Sequence, residues 1–523
     1  MDLNRQMTCQ WCWRSIRETL FKGNKMTKRF HVSRRTFLKI SAGGAVVLLG
    51  GGYLFRDQFL NDGNPSSTAT DLVRGQPLPI PNLMTGTEID GKQVYDLTMK
   101  QGFTTYVPGR QTATFAYNGN ILGPTLLMRK GDEVVINVTN QLGEPTTTHW
   151  HGIHLPAIMD GGPHQIIDNG NTWQAQYTIM NEEATFWYHP HLEGKTAEHV
   201  YAGLAGLLIV KDPQNELALP DQYGIDDIPL IVQDKIIDAD GSFNYPGTNF
   251  GVKGDQLLVN GAITPVFDAP AQFVRFRLLN GSNARFYNFG FSDDRQFHQI
   301  GTDGGLLERP VALTRLRLSN GERAEILVDF TGQENSQIRL VSFSSELDNI
   351  NPIWNSNALD DSTFDIMTID VVSASANPTT ALPTSLGSIN RLQEGQSTRT
   401  RSFVLEMGFS GPMTINGVSM DMNRIDQTVK VNDTEIWEVI NNSDMPHPFH
   451  VHDVQFLVLT RDGSPPPENE AGWKDTVLVM PRETVRIITH FSDYTDPDKP
   501  YMFHCHILEH EDAGMMGQFV VVE

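Results

Sequence analysis

One pattern recurs three times along the 523-residue chain and restricts what it can fold into. An Asn-Gly pair is followed by an alternating segment that ends in asparagine. The copies run from Asn118-Gly119 to Asn140, from Asn260-Gly261 to Asn280, and from Asn416-Gly417 to Asn441. Asn-Gly favours the tight turns of β-hairpins. The alternation in EVVINV, FVRFRL and EIWEV predicts strands with one buried face. The copies begin 142 and 156 residues apart, one domain length each. An all-β chain of three consecutive, related β-sandwiches is the expectation, with 45 Gly and 29 Pro supplying its turns. The division is 1–68 leader and linker, 69–215 first domain, 216–375 second and 401–523 third. The polar, proline-bearing stretch 376–400 is an exposed connection between the second and third.

The three copies lead into different segments. The first continues into THWHGIH (148–154) and the third into HPFHVHD (447–453), whereas the second continues into RFYNFGF (285–291), with no histidine. Later in the first domain comes FWYHPH (186–191), and later in the third YMFHCH (501–506). The first and third domains therefore share a site, and the second is a spacer without metal ligands.

Alternate residues of a strand face the same way. Each H-x-H presents two imidazoles on one side, roughly 7 Å apart at ~3.3 Å rise per residue. The pairs are His149/His151, His189/His191, His450/His452 and His504/His506. One such pair is commonplace on a surface, but four at repeat-equivalent positions suit a cluster of several metal ions. Imidazole alone serves Cu, Zn, Fe or Ni.

Cys505 narrows the choice. In His504-Cys505-His506 the thiol faces away from both imidazoles and belongs to a second site across the strand. His447 and His510 are its co-ligands, and Met515 is a weak axial one, with Met516 its rival. Two His, one Cys and a distant Met form the blue-copper set used for electron transfer. The pattern takes ten of the sixteen histidines. His31, His154, His164, His199, His298 and His490 fall outside it and read as ordinary.

Charge is divided unevenly. Residues 1–60 carry 11 Lys/Arg and 3 Asp/Glu, whereas the whole chain has a net charge of −22, so the body is strongly acidic and disfavours nucleic acid. Arg34 and Arg35 precede the apolar run 40–55, the pattern of an export signal. The adjacent arginines resemble the twin-arginine (Tat) type, whose export machinery is then a partner. Periplasmic or other extracytoplasmic residence is expected, with retention at the membrane if the signal stays uncleaved. Met26 is an alternative start. Cys9 and Cys12 form a C-x-x-C in the leader; once that is removed, Cys505 has no internal disulfide partner.

Together HWHG (149–152), WYHPH (187–191), HPFHVH (447–452) and HCHILEHEDAGMM (504–516) resemble the multicopper oxidases. The three-domain bacterial type, which includes copper-efflux oxidases and bacterial laccases, is the most similar, over about 70–523. The resemblance implies three Greek-key domains of cupredoxin type, a monomer and four copper ions. Type 1 copper would sit on His447, Cys505, His510 and Met515, and type 2 on His149 and His450. The type 3 pair would sit on His151, His189, His191, His452, His504 and His506. The implied reaction takes single electrons from a small reducing substrate or metal ion and reduces O2 to water. Asp160 and Glu511 match acidic positions that supply protons in the family, and Asp160 could also orient ligand histidines. Asp444 and Met445 resemble part of a substrate-copper site. Copper-efflux oxidases carry a methionine-rich insertion before the third domain, yet 368–406 holds no methionine, and Met413, Met420 and Met422 read equally as core. That departure favours laccase-type oxidation of phenols, aryl amines or metal ions. A copper-tolerance protein with incidental turnover is the alternative. Division-associated relatives that have lost their metals lack these histidine pairs; this chain keeps all four.

Overall fold

The computed structural model describes residues 71–523, apart from 216, 349–356 and 409–411. The leader with Arg34 and Arg35, Cys9, Cys12, Met26, His31 and the linker 61–70 lie outside the described residues. No described helix is long and apolar enough to cross a membrane.

Regular structure is almost entirely strand. Six sheets form three consecutive sandwiches, each sheet confined to one of the segments 83–211, 227–372 or 399–522. The same topology repeats. Lys92–Thr104, Asp227–Lys235 and Arg399–Met407 each lie parallel to the strand of the repeated pattern: Glu133–Gln141, Phe273–Asn280 and Thr434–Asn441. Each of those pairs on its other edge, antiparallel, with a later strand. Parallel neighbours cannot be joined by tight hairpins, so the chain crosses between the two sheets of each sandwich. Alternation sends Val134, Ile136 and Val138 into the first core, Val274, Phe276 and Leu278 into the second, and Trp437 and Val439 into the third.

The asparagines that mark the repeat do equivalent work in each sandwich. Asn118 Oδ1 accepts from Thr98 N–H (2.7 Å) while its Nδ2 donates to Asp96 O (2.9 Å). Asn260 bridges Ile231 and Pro229 in the same way, and Asn416 bridges Val404 and Ser402. Each side chain thus imitates one more strand residue beside its neighbour. The strand-ending Asn140, Asn280 and Asn441 accept from the N–H two residues on and donate to carbonyls of the following loop. They turn the chain sharply, and in the first and third sandwiches that turn delivers the first histidine pair.

One expectation needs correction. Only the second and third Asn-Gly pairs close two-residue hairpins, with Val259 opposite Ala262 and Ile415 opposite Val418. Gly261 and Gly417 have positive φ, as such turns require; Gly119 does not, and the chain runs on to a bridge between Ala116 and Leu122. The connection 376–400 is mostly exposed but anchored: Leu386 is buried in an apolar cluster with Phe273, Ile300 and Leu327, and Arg391 pairs with Glu308 at 2.7 Å.

Candidate metal centre

Strand pairing brings the histidines together within each sandwich. His149–His151 runs antiparallel to Ala184–His189, placing His149 opposite His189. His447–Val451 runs antiparallel to Asp496–Cys505, placing His450 opposite His504 and Phe449 opposite Cys505. Both later strands are followed by a short helix, Thr196–Ala202 or Leu508–Asp512, and then by a returning strand, Gly206–Lys211 or Met516–Val522. All eight H-x-H imidazoles are at most 1% exposed.

Contact between the first and third sandwiches completes the cluster. His151 stacks on His450 with ring centres 3.7 Å apart, and His149 on His452 at 3.9 Å. Potential ligand atoms fall within 4.8 Å of one another in three histidine triads: His149/His151/His450, His151/His189/His506 and His191/His452/His504. Trp187 stacks on His189 at 4.0 Å and closes that side.

The hydrogen bonds show what such triads are suited to hold. His149 Nδ1 lies 2.9 Å from Asp160 O, His450 Nδ1 2.8 Å from Asp475 O, and His189 Nδ1 2.8 Å from Pro190 O. His151 Nε2 faces Asp475 Oδ1 at 3.0 Å, and His452 Nδ1 faces Asp160 Oδ2 at 2.8 Å. A carbonyl or carboxylate oxygen only accepts, so each of these nitrogens carries the proton. The opposite nitrogens of His149, His151, His189 and His450 are buried without a hydrogen-bond partner. His504 Nδ1 is held by Cys505 O (3.1 Å), and its Nε2 lies 3.1 Å from His191 Nε2 and 3.2 Å from His452 Nε2. The Nε2 atoms of His452 and His504 are therefore bare lone pairs pointing at each other. Burial, followed by the neighbouring histidines, holds His151, His189, His191, His450 and His504 well below the usual range, with His452 at about 4 and His506 at about 3, so protons do not relieve the repulsion. A cation bound by neutral imidazoles would, and the donor set fits a transition metal.

Cys505 lies on the far side of its strand, as the alternation predicts. Its Sγ is 3.4 Å from His447 Nδ1 and 3.5 Å from His510 Nδ1, and the two nitrogens are 3.2 Å apart. Burial pushes the thiol up and the two imidazoles down, His447 to about 3. Ser443 Oγ meets His447 Nε2 at 2.8 Å. Met515 is tied by its backbone to both neighbours, donating to His510 O and accepting from Cys505 N–H. It packs in the same core cluster as Cys505, whereas Met516 pairs with His504 and takes the opposite face.

Both acidic candidates touch the cluster. Asp160, 1% exposed, accepts from His452 and lies 3.3 Å from His149 Nδ1. Burial would raise its carboxyl, but His452 and His149 outweigh it and hold it below the usual range. Glu511, also 1% exposed, reaches within 3.3 Å of His191 Nδ1 and His504 Nδ1. Burial, then Asp512, pushes its carboxyl well up. Asp444 instead pairs with Arg482 at the surface (2.8 Å), and Met445 is buried in the third core.

Several contributors escaped the sequence reading. Asp475 is fully buried and engages both His151 and His450, and Arg323 of the middle sandwich engages Asp475. The middle sandwich is therefore more than a spacer. No sequence signal marks Asp475 or Arg323: Gly152 in HWHG, with φ +86° and a position where a Cβ would collide with Asp475 Oδ2, shows its link only once the chain is folded. His154 is not ordinary either. It pairs with Asp453 at 2.7 Å, linking the first and third sandwiches; burial lowers its pKa, but the Asp453 charge prevails and raises it to about 9. His164, His199 and His490 make side-chain hydrogen bonds to Gln518, Thr146 and Thr434.

Known proteins resemble this chain over most of its length. The family description "Multicopper oxidase" matches residues 98–215 and 382–523. The chain is 37% identical over 438 residues to multicopper oxidase mco of Staphylococcus epidermidis, covering 83% of this chain and 89% of that one. It is 36% identical over 447 residues to cell division protein FtsP of Dickeya dadantii, covering 85% and 92%. Among solved structures it resembles the laccase-like multicopper oxidase CueO of Ochrobactrum sp., with a TM-score of 0.77 and 36% identity over 85% of this chain and all of that one. With that identity spread over most of both chains, and with its donor residues gathered in this way, the protein belongs to the multicopper oxidase family.

Proposed function

We propose that the chain takes single electrons from a small aryl reductant, laccase fashion, and delivers them to O2. The observation that carries this reading is the pair of donor arrangements joined by one strand: three triads with bare inward nitrogens, and the separate His447, Cys505 and His510 set. Four copper ions bind per chain in this reading. His447, Cys505, His510 and Met515 would hold type 1 copper, and His149 and His450 type 2. The type 3 pair is held by His151, His189 and His506 and by His191, His452 and His504. When bound, the coppers supply one-electron oxidation of the substrate and the four-electron reduction of O2 to two waters.

The chain's own residues do the rest. The main chain joins Cys505 directly to His504 and His506, a covalent path between the two donor arrangements. Asp160 orients His452 and His149 and can pass a proton on. Glu511 keeps a proton at its carboxyl between His191 and His504, placed to deliver it to reduced oxygen.

Aryl substrates rank ahead of Cu(I). Asp444 is already paired with Arg482, and Met445 is packed in the core, so both would have to move to hold a substrate cation. The Ochrobactrum relative, in addition, is described with activity towards lignin model compounds. The protein acts as a monomer outside the cytoplasm after export by the twin-arginine machinery, retained at the membrane where the signal stays uncleaved. Its domains are 69–215, 216–375 and 401–523, a division supported by the confinement of the sheets.

Two other readings have support. Copper tolerance by binding, with incidental turnover, needs only the donor sets. A cell-division role is favoured by the FtsP likeness. O2 uptake by copper-loaded protein separates them, tested with a phenol, a bilin, Fe(II) and Cu(I). Sustained uptake with the phenol supports the proposal. Full copper without uptake on any reductant sinks it, and a pronounced Cu(I) preference reverses the substrate ranking.

A further inference from the structure

The sandwich without ligand histidines sends one turn into the cluster. Gly321, with φ +82°, lies against the His506 ring, where a Cβ would approach Cδ2 to 2.9 Å. Two residues on, the buried Arg323 donates to both oxygens of Asp475, from Nη1 at 2.7 Å and from Nη2 at 2.6 Å. Its other contacts hold the guanidinium in place: Nε to Thr185 O, Nη1 to Gly321 O and Nη2 to Asp303 O, all at 2.8–3.0 Å. Asp475 then serves two imidazoles from different sandwiches. Its Oδ1 is 3.0 Å from His151 Nε2, and its main-chain oxygen is 2.8 Å from His450 Nδ1.

We propose that Arg323 and Asp475 are positioning residues that decide which nitrogen of His151 is bare, making the middle sandwich a working part of the copper cluster. The proposal rests on the copper reading above. A guanidinium has donors and no acceptor, so the fork requires both Asp475 oxygens to accept. An acceptor against His151 Nε2 puts the ring proton there. That leaves Nδ1 bare, and Nδ1 is the nitrogen without a protein partner.

Asparagine at 475 reverses this logic. Arg323 would keep the amide oxygen, turning the NH2 towards His151. Nε2 would then accept, and Nδ1, the nitrogen facing the cluster, would carry a proton that competes with the metal. His450 is spared, because its partner at 475 is the main-chain oxygen. The loss therefore falls on the two triads that share His151 and not on the His447, Cys505 and His510 set.

The test compares the full chain, expressed with copper, as wild type, Asp475→Asn, Arg323→Gln and Arg323→Lys. Copper per chain is measured after dialysis against a chelator, together with the type 2 electron paramagnetic resonance signal and the blue absorption. Outer partners of metal ligands are typically worth ~10–100-fold in affinity. A loss of that size is expected for cluster copper in Asp475→Asn and Arg323→Gln, with blue absorption kept and partial recovery in Arg323→Lys. Cluster copper and a type 2 signal like those of wild type in Asp475→Asn overturn the proposal. So does equal loss from every site, blue centre included, which marks general unfolding. A wild-type chain that takes up no copper fells the copper reading, and this inference with it.

Discussion

His151 and His450 lie face to face, 3.7 Å between ring centres and 10° between ring planes, although they belong to different sandwiches. The pair is at once a packing contact and a shared donor edge. Replacing His450 by phenylalanine separates the two roles. The ring stack survives, and the Nδ1 bond to Asp475 O is lost at a cost of about 1–3 kcal/mol, the usual penalty for an unmet buried polar group. Thermal unfolding should shift only modestly. Oxygen uptake should fall further than the ~10–100-fold typical of an outer-partner change, because a donor atom is gone. Normal turnover would remove His450 from the cluster.

The second donor set has its own signature. Cys505→Ser should abolish the blue absorption and substrate oxidation while cluster copper remains bound. Met515→Leu should keep the colour and raise the redox potential, because an axial thioether stabilises the oxidised metal. Met516→Leu should leave the potential unchanged, since Met516 pairs with His504 on the opposite face. A potentiometric titration that moves with Met516 instead would exchange the two assignments.

Glu511→Gln keeps the shape of the side chain and removes its acid. Anaerobic addition of a phenol should bleach the blue centre as in wild type. Reoxidation by O2 in stopped flow should slow by ~10²–10⁴-fold, the range for loss of a general acid. Equal reoxidation rates would place the proton source elsewhere.

Stability should depend on pH through His154. Its pKa is raised from 6.5 to about 9, with Asp453 overcoming burial. A raised basic group adds stability in full below its unfolded pKa and loses it as pH climbs through the folded value. The melting temperature should therefore decline between pH 6.5 and about 9, by an amount of order 1–3 kcal/mol in stability. His154→Gln should lie lower at pH 6 and show a flatter decline. A variant slope as steep as that of wild type would assign the pH effect to other groups.

Much of the site is legible in the chain because strand alternation is a local rule. The two faces of 504–506 follow from period two alone, and they separate Cys505 from its flanking imidazoles without any tertiary information. The repeated asparagines locate three sandwiches because each works on neighbouring strands of its own sandwich. The first Asn-Gly pair misleads for the converse reason: Gly119 stays out of the left-handed region, and Asn118 is used for its side chain rather than for a hairpin.

Asp475, Arg323 and the His154–Asp453 pair have no comparable signature. They are ordinary residues until the chain is folded, and Asp444 and Met445 looked more like ligands than Asp475 did. The sequence by itself determined the strands, the candidate donors and which of them share a face, since these depend on residues a few positions apart. The tertiary structure alone decided which donors meet across the first and third sandwiches, which nitrogen of each ring is bare, and that the middle sandwich takes part. Those outcomes depend on stacking and hydrogen bonds between segments far apart in the chain, and packing between sandwiches leaves no periodic trace in a sequence.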